Sequence, residues 1–276
     1  MEAATGEWVQ RYLRLLGAEP EHPGVEALGR LIRANVLTIP FVNVSSILRR
    51  AQTPVGAPVP PLDTEEILIS WEEQRSGGVC FERTVMFGRL LGDLGYDAHP
   101  IMANASFPGS HNAVLVHLEG KRYLAEVGAG SPFFDPIPLG AAAEVRHAGL
   151  TYRFRPGDAP DVLLQERLID GAWTPFFSYD LRVPDDDAVE EAYQRHHTPG
   201  QSWVVDDLFL VRSSEVDVKV FRNQQFTHYT QDGKHSERIT DPAAIAHLVS
   251  DVFALPKLPI AESLRAQAAF AHTRGP

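Results

Sequence analysis

The spacing of apolar residues changes character at Gly95, and this switch constrains the fold more than any other feature of the chain. Before it, Trp8, Tyr12, Leu15 and Leu16 recur at helical spacing, and residues 25–34 repeat the pattern. Residues 54–61 form a proline-rich break leading to Asp63, which with Glu66 has the spacing of a capping box and predicts a helix to about Trp71. Phe81, Val85, Leu90, Leu91 and Leu94 then mark a helix over 80–94, with Gly95 placed to cap it.

From Ala98 the pattern becomes that of strands. Residues 112–118 and 122–127 are short runs of β-formers around Glu119-Gly120, and similar runs follow at 151–155, 162–168 and 176–181. An acidic, helical connector covers 184–193. Strand-like runs at 208–212, 216–222 and 225–229 come next, then a helix over 242–253. The tail beyond Pro259 reads as helical and only loosely docked. This order divides the chain into a helical domain (1–95), a β-rich domain (96–183), a helical connector (184–205) and an α/β lid (206–276).

Of the 276 residues, 44% are hydrophobic and 22% charged, which is enough to bury a core. The net charge of -11 argues against nucleic acid or an anionic membrane as the main partner, and no obligate protein partner is evident. There is one cysteine, so no internal disulfide forms. Residues 1–17 lack the apolar core of a signal peptide, and no run of 18 apolar residues occurs, so a cytoplasmic location is expected.

That cysteine, Cys80, follows Arg75-Ser76-Gly77-Gly78-Val79 and opens an amphipathic helix. Paired glycines allow a tight turn and close backbone approach to a substrate. A helix N-terminus favours an anion, and thiolate is the reactive form of cysteine. The competing reading is a small buried hydrophobe. A thiolate nucleophile is served by a histidine, and the histidine by a carboxylate. If Glu119-Gly120 is a two-residue turn, Leu118 faces Lys121 and Ala113 faces Glu126. His111 and Glu126 are then diagonal neighbours on one face, with Cα atoms about 7–8 Å apart. Leu115 and Leu124 share that face, so a carboxylate there requires a partner.

His117 reads as a rim histidine. The pair His196-His197 has no cysteine or acidic cluster nearby in sequence, and no metal site is expected. Gly128-Ala129-Gly130 leads to Ser131-Pro132 rather than a helix, which argues against a dinucleotide site.

These segments resemble the arylamine N-acetyltransferase family. The run from Arg75 to Glu82 is similar to the family's active-site segment, Ser110 to Val116 to its histidine strand, and Tyr123 to Gly130 to its acidic segment. Ile39-Pro40-Phe41-Val42-Asn43 and Tyr179-Asp180-Leu181 are similar to two further signatures. The resemblance implies an α+β fold: a helical bundle, a β-barrel and an α/β lid with a cysteine-protease-like core. It also implies ping-pong transfer from acetyl-CoA, a substrate rather than a bound cofactor, to an arylamine, hydrazine or arylhydroxylamine. Cys80 would attack, His111 would move the proton and Glu126 would orient the ring. Phe41, Val79, Phe107, Gly128, Ala129, Gly130 and Trp203 are the expected substrate-binding positions.

Three residues depart from the family pattern. Glu126 stands where Asp is usual, Val42 where Glu is common, and Ala129 where an aromatic is often found, which implies a roomier acceptor pocket. The departures leave open an amide- or ester-forming acyltransferase taking a larger acyl thioester, and a thioester hydrolase on the same residues. A silent binding protein is the reading from a different class, and it predicts an ordinarily reactive Cys80.

Overall fold

The computed structural model describes residues 6–273. Four helices carry the first apolar pattern: α1 (Glu7–Leu16), α2 (Val25–Thr38), α3 (Val44–Gln52) and α4 (Thr64–Gln74). A two-residue strand, β1 (Phe41–Val42), separates α2 from α3, and α5 (Cys80–Asp93) completes the group. Asp63 caps α4 as its spacing predicts, with Oδ1 accepting from the backbone N–H of Glu65 at 2.7 Å and Glu66 at 3.2 Å. Gly95, at φ +87°, follows the end of α5, and the Tyr96 N–H bonds the Leu91 carbonyl across it.

Eight strands follow: β2 (Asp97–Asn104), β3 (His111–Leu118), β4 (Lys121–Ala125), β5 (Ile137–Pro138), β6 (Ala143–His147), β7 (Leu150–Pro156), β8 (Val162–Ile169) and β9 (Ala172–Asp180). They form one barrel-like antiparallel sheet in the order β5-β4-β3-β2-β9-β8-β7-β6. The turn after β3 places Leu118 opposite Lys121 and Val114 opposite Ala125, the register expected from the sequence. Glu119 and Gly120 both have positive φ, 53° and 73°, as a type I′ turn requires.

The unbroken apolar run in β3 reflects burial on both faces. Ala113 and Leu115 face the barrel interior with Leu124, Phe154 and Tyr179. Val114 and Val116 face Met86, Phe87, Leu90 and Leu91 of α5. Burying each such side chain contributes about 2 kcal/mol, and this double packing holds the start of β3 against the start of α5.

Helices α6 (Asp186–His196) and α7 (Trp203–Asp206) lead to β10 (Phe209–Ser213), β11 (Val218–Arg222), β12 (Gln225–Thr230) and β13 (Gly233–Arg238). These strands form a second sheet whose far edge is β1, from the N-terminal third of the chain. The segment expected as one helix over 242–253 is α8 (Pro242–His247) running into a π-helical turn, Leu248–Val252. The last helix, α9 (Ile260–Thr273), corrects the expectation of a loosely docked tail. Ile260, Leu264, Ala266 and Phe270 pack into a core with Val44 and Ile47 of α3 and Phe253. Among the described residues, no helix is long and apolar enough to cross a membrane.

Candidate active site

Cys80 is the first residue of α5 and is buried. A side chain pins that helix start: Glu82 accepts the Val79 backbone N–H at 3.0 Å, the Ser45 hydroxyl at 2.9 Å and the Arg49 guanidinium at 2.9 Å. The preceding glycines approach protein rather than an open pocket. A Cβ on Gly77, at φ +63°, would lie 2.3 Å from the Pro40 carbonyl oxygen, and the N–H of Val42 bonds the Gly78 carbonyl. The Gly-Gly turn therefore clamps β1 beside the nucleophile segment.

His111 opens β3, and its ring is fixed from several directions. The Ser110 hydroxyl accepts backbone N–H groups from Ala105, Ser106 and Phe107, at 2.9, 3.1 and 3.3 Å. The Ser110 carbonyl accepts from His196 Nε2 at 2.8 Å. The Thr84 hydroxyl of α5 donates to the Asn112 carbonyl at 3.1 Å. Phe177 stacks on the imidazole with a centroid separation of 4.2 Å and a 14° interplanar angle.

His111 Nε2 lies 2.9 Å from Oε2 of Glu126. Cys80 neighbours the ring and lines the same cavity, and its interaction with the imidazole raises the His111 pKa. Glu126 Oε1 accepts the Ala129 backbone N–H at 2.9 Å. The Tyr179 hydroxyl lies 2.6 Å from both Glu126 Oε2 and Gln165 Oε1. A hydroxyl has one hydrogen, so it donates to the carboxylate and accepts from the Gln165 amide. That requires the Gln165 amide turned over, which also gives its otherwise unpartnered nitrogen a bond.

These contacts set the charges. Burial alone lowers the His111 pKa, but the Glu126 charge and hydrogen bonds to Cys80 and Glu126 outweigh it, pushing the imidazolium up to about 10. Burial opposes ionisation of Glu126, yet the His111 charge and the bonds from His111, Tyr179 and Ala129 hold it below its usual range. Burial and the neighbouring carboxylate raise Tyr179 well above 10, so it remains a neutral donor. The ensemble is a buried imidazolium bonded to a carboxylate beside a cysteine, an arrangement able to move a proton to and from the sulfur.

Cys80 and His111 open onto a cavity of about 500 Å³, within the range of a small-molecule site. Of the seven expected contact residues, Phe41, Ala129 and Trp203 line it. The other four are not among its lining residues. Val79 is the N-cap of α5. Phe107 packs 5.3 Å from the His196 ring and beneath Arg195. A Cβ on Gly128 would lie 3.0 Å from His111 Cε1, and one on Gly130 would lie 2.5 Å from the Phe41 Cβ.

His196 and His197 are buried and bond the Ser110 and Tyr193 carbonyls. Desolvation pushes their pKa values down to about 3 and about 4, so both are neutral parts of the scaffold. His117, half-buried at the end of β3, meets Asp97 at 3.2 Å. The sequence alone assigns no role to Gln165, Phe176 or Phe177, and marks Tyr179 only as part of a signature. The signal for Gln165 was an isolated amide inside the apolar run of β8, which must find a partner. Phe176 and Phe177 were visible as an aromatic pair within a strand.

Residues 24–259 match the model of the N-acetyltransferase family. The chain belongs to the arylamine N-acetyltransferase family. It is 29% identical over 184 residues to the arylamine N-acetyltransferase of Mycolicibacterium smegmatis, a match covering 61% of this chain and 62% of that protein. It is 29% identical over 150 residues to proansamycin X synthase of Amycolatopsis mediterranei, covering 50% of this chain and 55% of the relative. Both matches thus span somewhat over half the relative's length. The fold is that of the arylamine N-acetyltransferase of Mycobacterium marinum in complex with CoA, with a TM-score of 0.79, 20% identity, and coverage of 95% of this chain and 98% of that one. Solved members of the family have a cysteine-protease-like fold, and this chain shares it.

Proposed function

We propose that this enzyme transfers an acetyl group from acetyl-CoA to an arylamine, hydrazine or arylhydroxylamine through an acyl-enzyme on Cys80. The observation that carries the reading is the His111 ring, bonded to Glu126 and lining an aromatic-walled cavity together with Cys80. The Cys80 thiolate attacks the thioester carbonyl, the bond from that carbon to the CoA sulfur breaks, and the leaving thiolate takes the imidazolium proton. The amine nitrogen then attacks the Cys80 thioester, its proton passes to His111, and the carbon–sulfur bond to Cys80 breaks. Glu126 fixes the ring and supports its charge through both half-reactions. The same reading keeps the division of the chain at residues 95, 183 and 205 and places the reaction in the cytoplasm.

Two-substrate kinetics test the order of events. Parallel double-reciprocal lines, together with exchange of label between CoA and acetyl-CoA without amine, are expected. Intersecting lines without exchange contradict an acyl-enzyme.

One second reading has specific support. The partial match to a protein named for synthesis of proansamycin X, together with Ala129 in the cavity wall, favours amide formation with a larger acyl thioester. A series of acyl-CoA donors separates the two, because this reading predicts that kcat/KM rises with chain length.

A further inference from the structure

Three arginines project from β7 and β8, and two of them share one carboxylate. Arg153 and Arg155 both bond Oε2 of Glu166, at 2.6 and 3.0 Å. The third, Arg167, lines the substrate cavity and has no ion-pair partner among the described residues. Its guanidinium carbon lies 5.9 Å from the Tyr152 ring centroid and 5.3 Å from that of Tyr229. Nε is buried without a hydrogen-bond partner. Ring faces attract a cation but do not replace directed acceptors for its N–H donors. Arg222, the other arginine of the cavity, is held by Asp207 at 3.7 Å and by the Trp203 ring at 4.6 Å.

A ladder of rings joins Arg167 to the reacting end of the cavity. Phe177 stacks on His111 at 4.2 Å, Phe176 meets Phe177 at 4.6 Å, and Tyr152 meets Phe176 at 6.2 Å. Cross-strand pairing sets Tyr152 directly opposite Arg167. A half-desolvated guanidinium at the end of an apolar wall is a preformed partner for a planar or tetrahedral anion.

We propose that Arg167 is an anion-recognition residue that pairs with a carboxylate or phosphate of a substrate whose reacting atom lies at Cys80. The proposal rests on the reading of Cys80 as the acylated residue, but its test requires no turnover. Calorimetric titration compares 4-aminobenzoate with 4-methylaniline, and CoA with pantetheine, on the full chain and on Arg167→Gln and Arg167→Lys. The unaltered chain is expected to prefer the charged member of at least one pair. Arg167→Gln should cut that preference tenfold or more while changing neutral binding less than twofold, and Arg167→Lys should restore part of it. Loss in the first pair assigns the anion to an acceptor carboxylate, and loss in the second assigns it to the phosphates of the donor. Charged and neutral probes binding alike, failing to bind at all, or weakening together in Arg167→Gln overturns the proposal. Absence of a Cys80 adduct with acetyl-CoA is read separately by mass and counts against the donor reading alone.

Discussion

The Tyr179 hydroxyl donates to the same Glu126 oxygen that His111 Nε2 meets, at 2.6 Å against 2.9 Å. Glu126 is therefore held by three donors, the third being the Ala129 N–H. A hydrogen bond to a buried charge contributes about 1.5–3 kcal/mol. Tyr179→Phe should retain the fold, lower stability by about 2 kcal/mol, and lower kcat/KM roughly tenfold by letting the carboxylate and imidazole drift. Denaturant unfolding and steady-state kinetics check the two effects; unchanged kinetics would mean that His111 and Ala129 suffice to hold the carboxylate.

Glu126 carries one methylene more than the Asp usual in the family, and both of its oxygens are occupied. Glu126→Asp cannot keep His111, Tyr179 and Ala129 together without backbone movement, so activity should fall rather than improve. Glu126→Gln keeps the shape and loses the charge. Without that charge the ring tautomer is no longer fixed, and losses on the order of 10³–10⁴-fold are expected. The rate of Cys80 acylation in single-turnover experiments measures both variants.

The His111 imidazolium is raised from its ordinary 6.5 to about 10. Its contribution to stability is therefore full below pH 6.5 and is lost as pH rises through about 10. Glu126, held low, contributes in the opposite sense, and its share is lost as pH falls through its folded value. The denaturation midpoint should decline between neutral pH and pH 10, with a shallower decline in His111→Gln.

Gly128 marks where the scaffold touches the reacting ring. An added Cβ would meet the Asn112 carbonyl oxygen at 2.7 Å, His111 Cε1 at 3.0 Å and the Thr84 hydroxyl at 3.1 Å. Gly128→Ala should cost about 1–3 kcal/mol by overpacking and displace the imidazole. Acylation of Cys80 should slow more than tenfold while the protein remains folded by circular dichroism.

Arg83 is fully buried, and none of its three guanidinium nitrogens has a hydrogen-bond partner. Desolvation pushes its pKa down to about 10 against the pull of Tyr12, Glu126 and Cys80. A buried donor left without an acceptor costs about 1–3 kcal/mol, so Arg83→Met, which removes these donors, should raise Tm by several degrees. A lower Tm would show that the structure depends on this charge beside Glu126.

Much of this architecture was legible because local and global signals agreed. The Asp63 cap, the Gly95 stop and the Glu119-Gly120 turn each read correctly, and the turn alone placed His111 diagonal to Glu126. β13 escaped notice because its six residues are exposed and carry no apolar alternation. β1 and α7, of two and four residues, are too short for periodicity to speak. Tyr179 could be named from its motif, but its bond to Glu126 spans 53 residues and depends on strand order that no local pattern encodes. That Arg167 lacks an ion-pair partner likewise depends on cross-strand pairing, which gives Glu166 to Arg153 and Arg155 of β7.

The central claim is that Cys80 becomes the acyl carrier, and intact mass after brief exposure to acetyl-CoA without amine addresses it most directly. One acetyl adduct, absent from Cys80→Ala and discharged by an arylamine, is the predicted result. An unmodified chain with no CoA released, or an adduct that persists in Cys80→Ala, would contradict it.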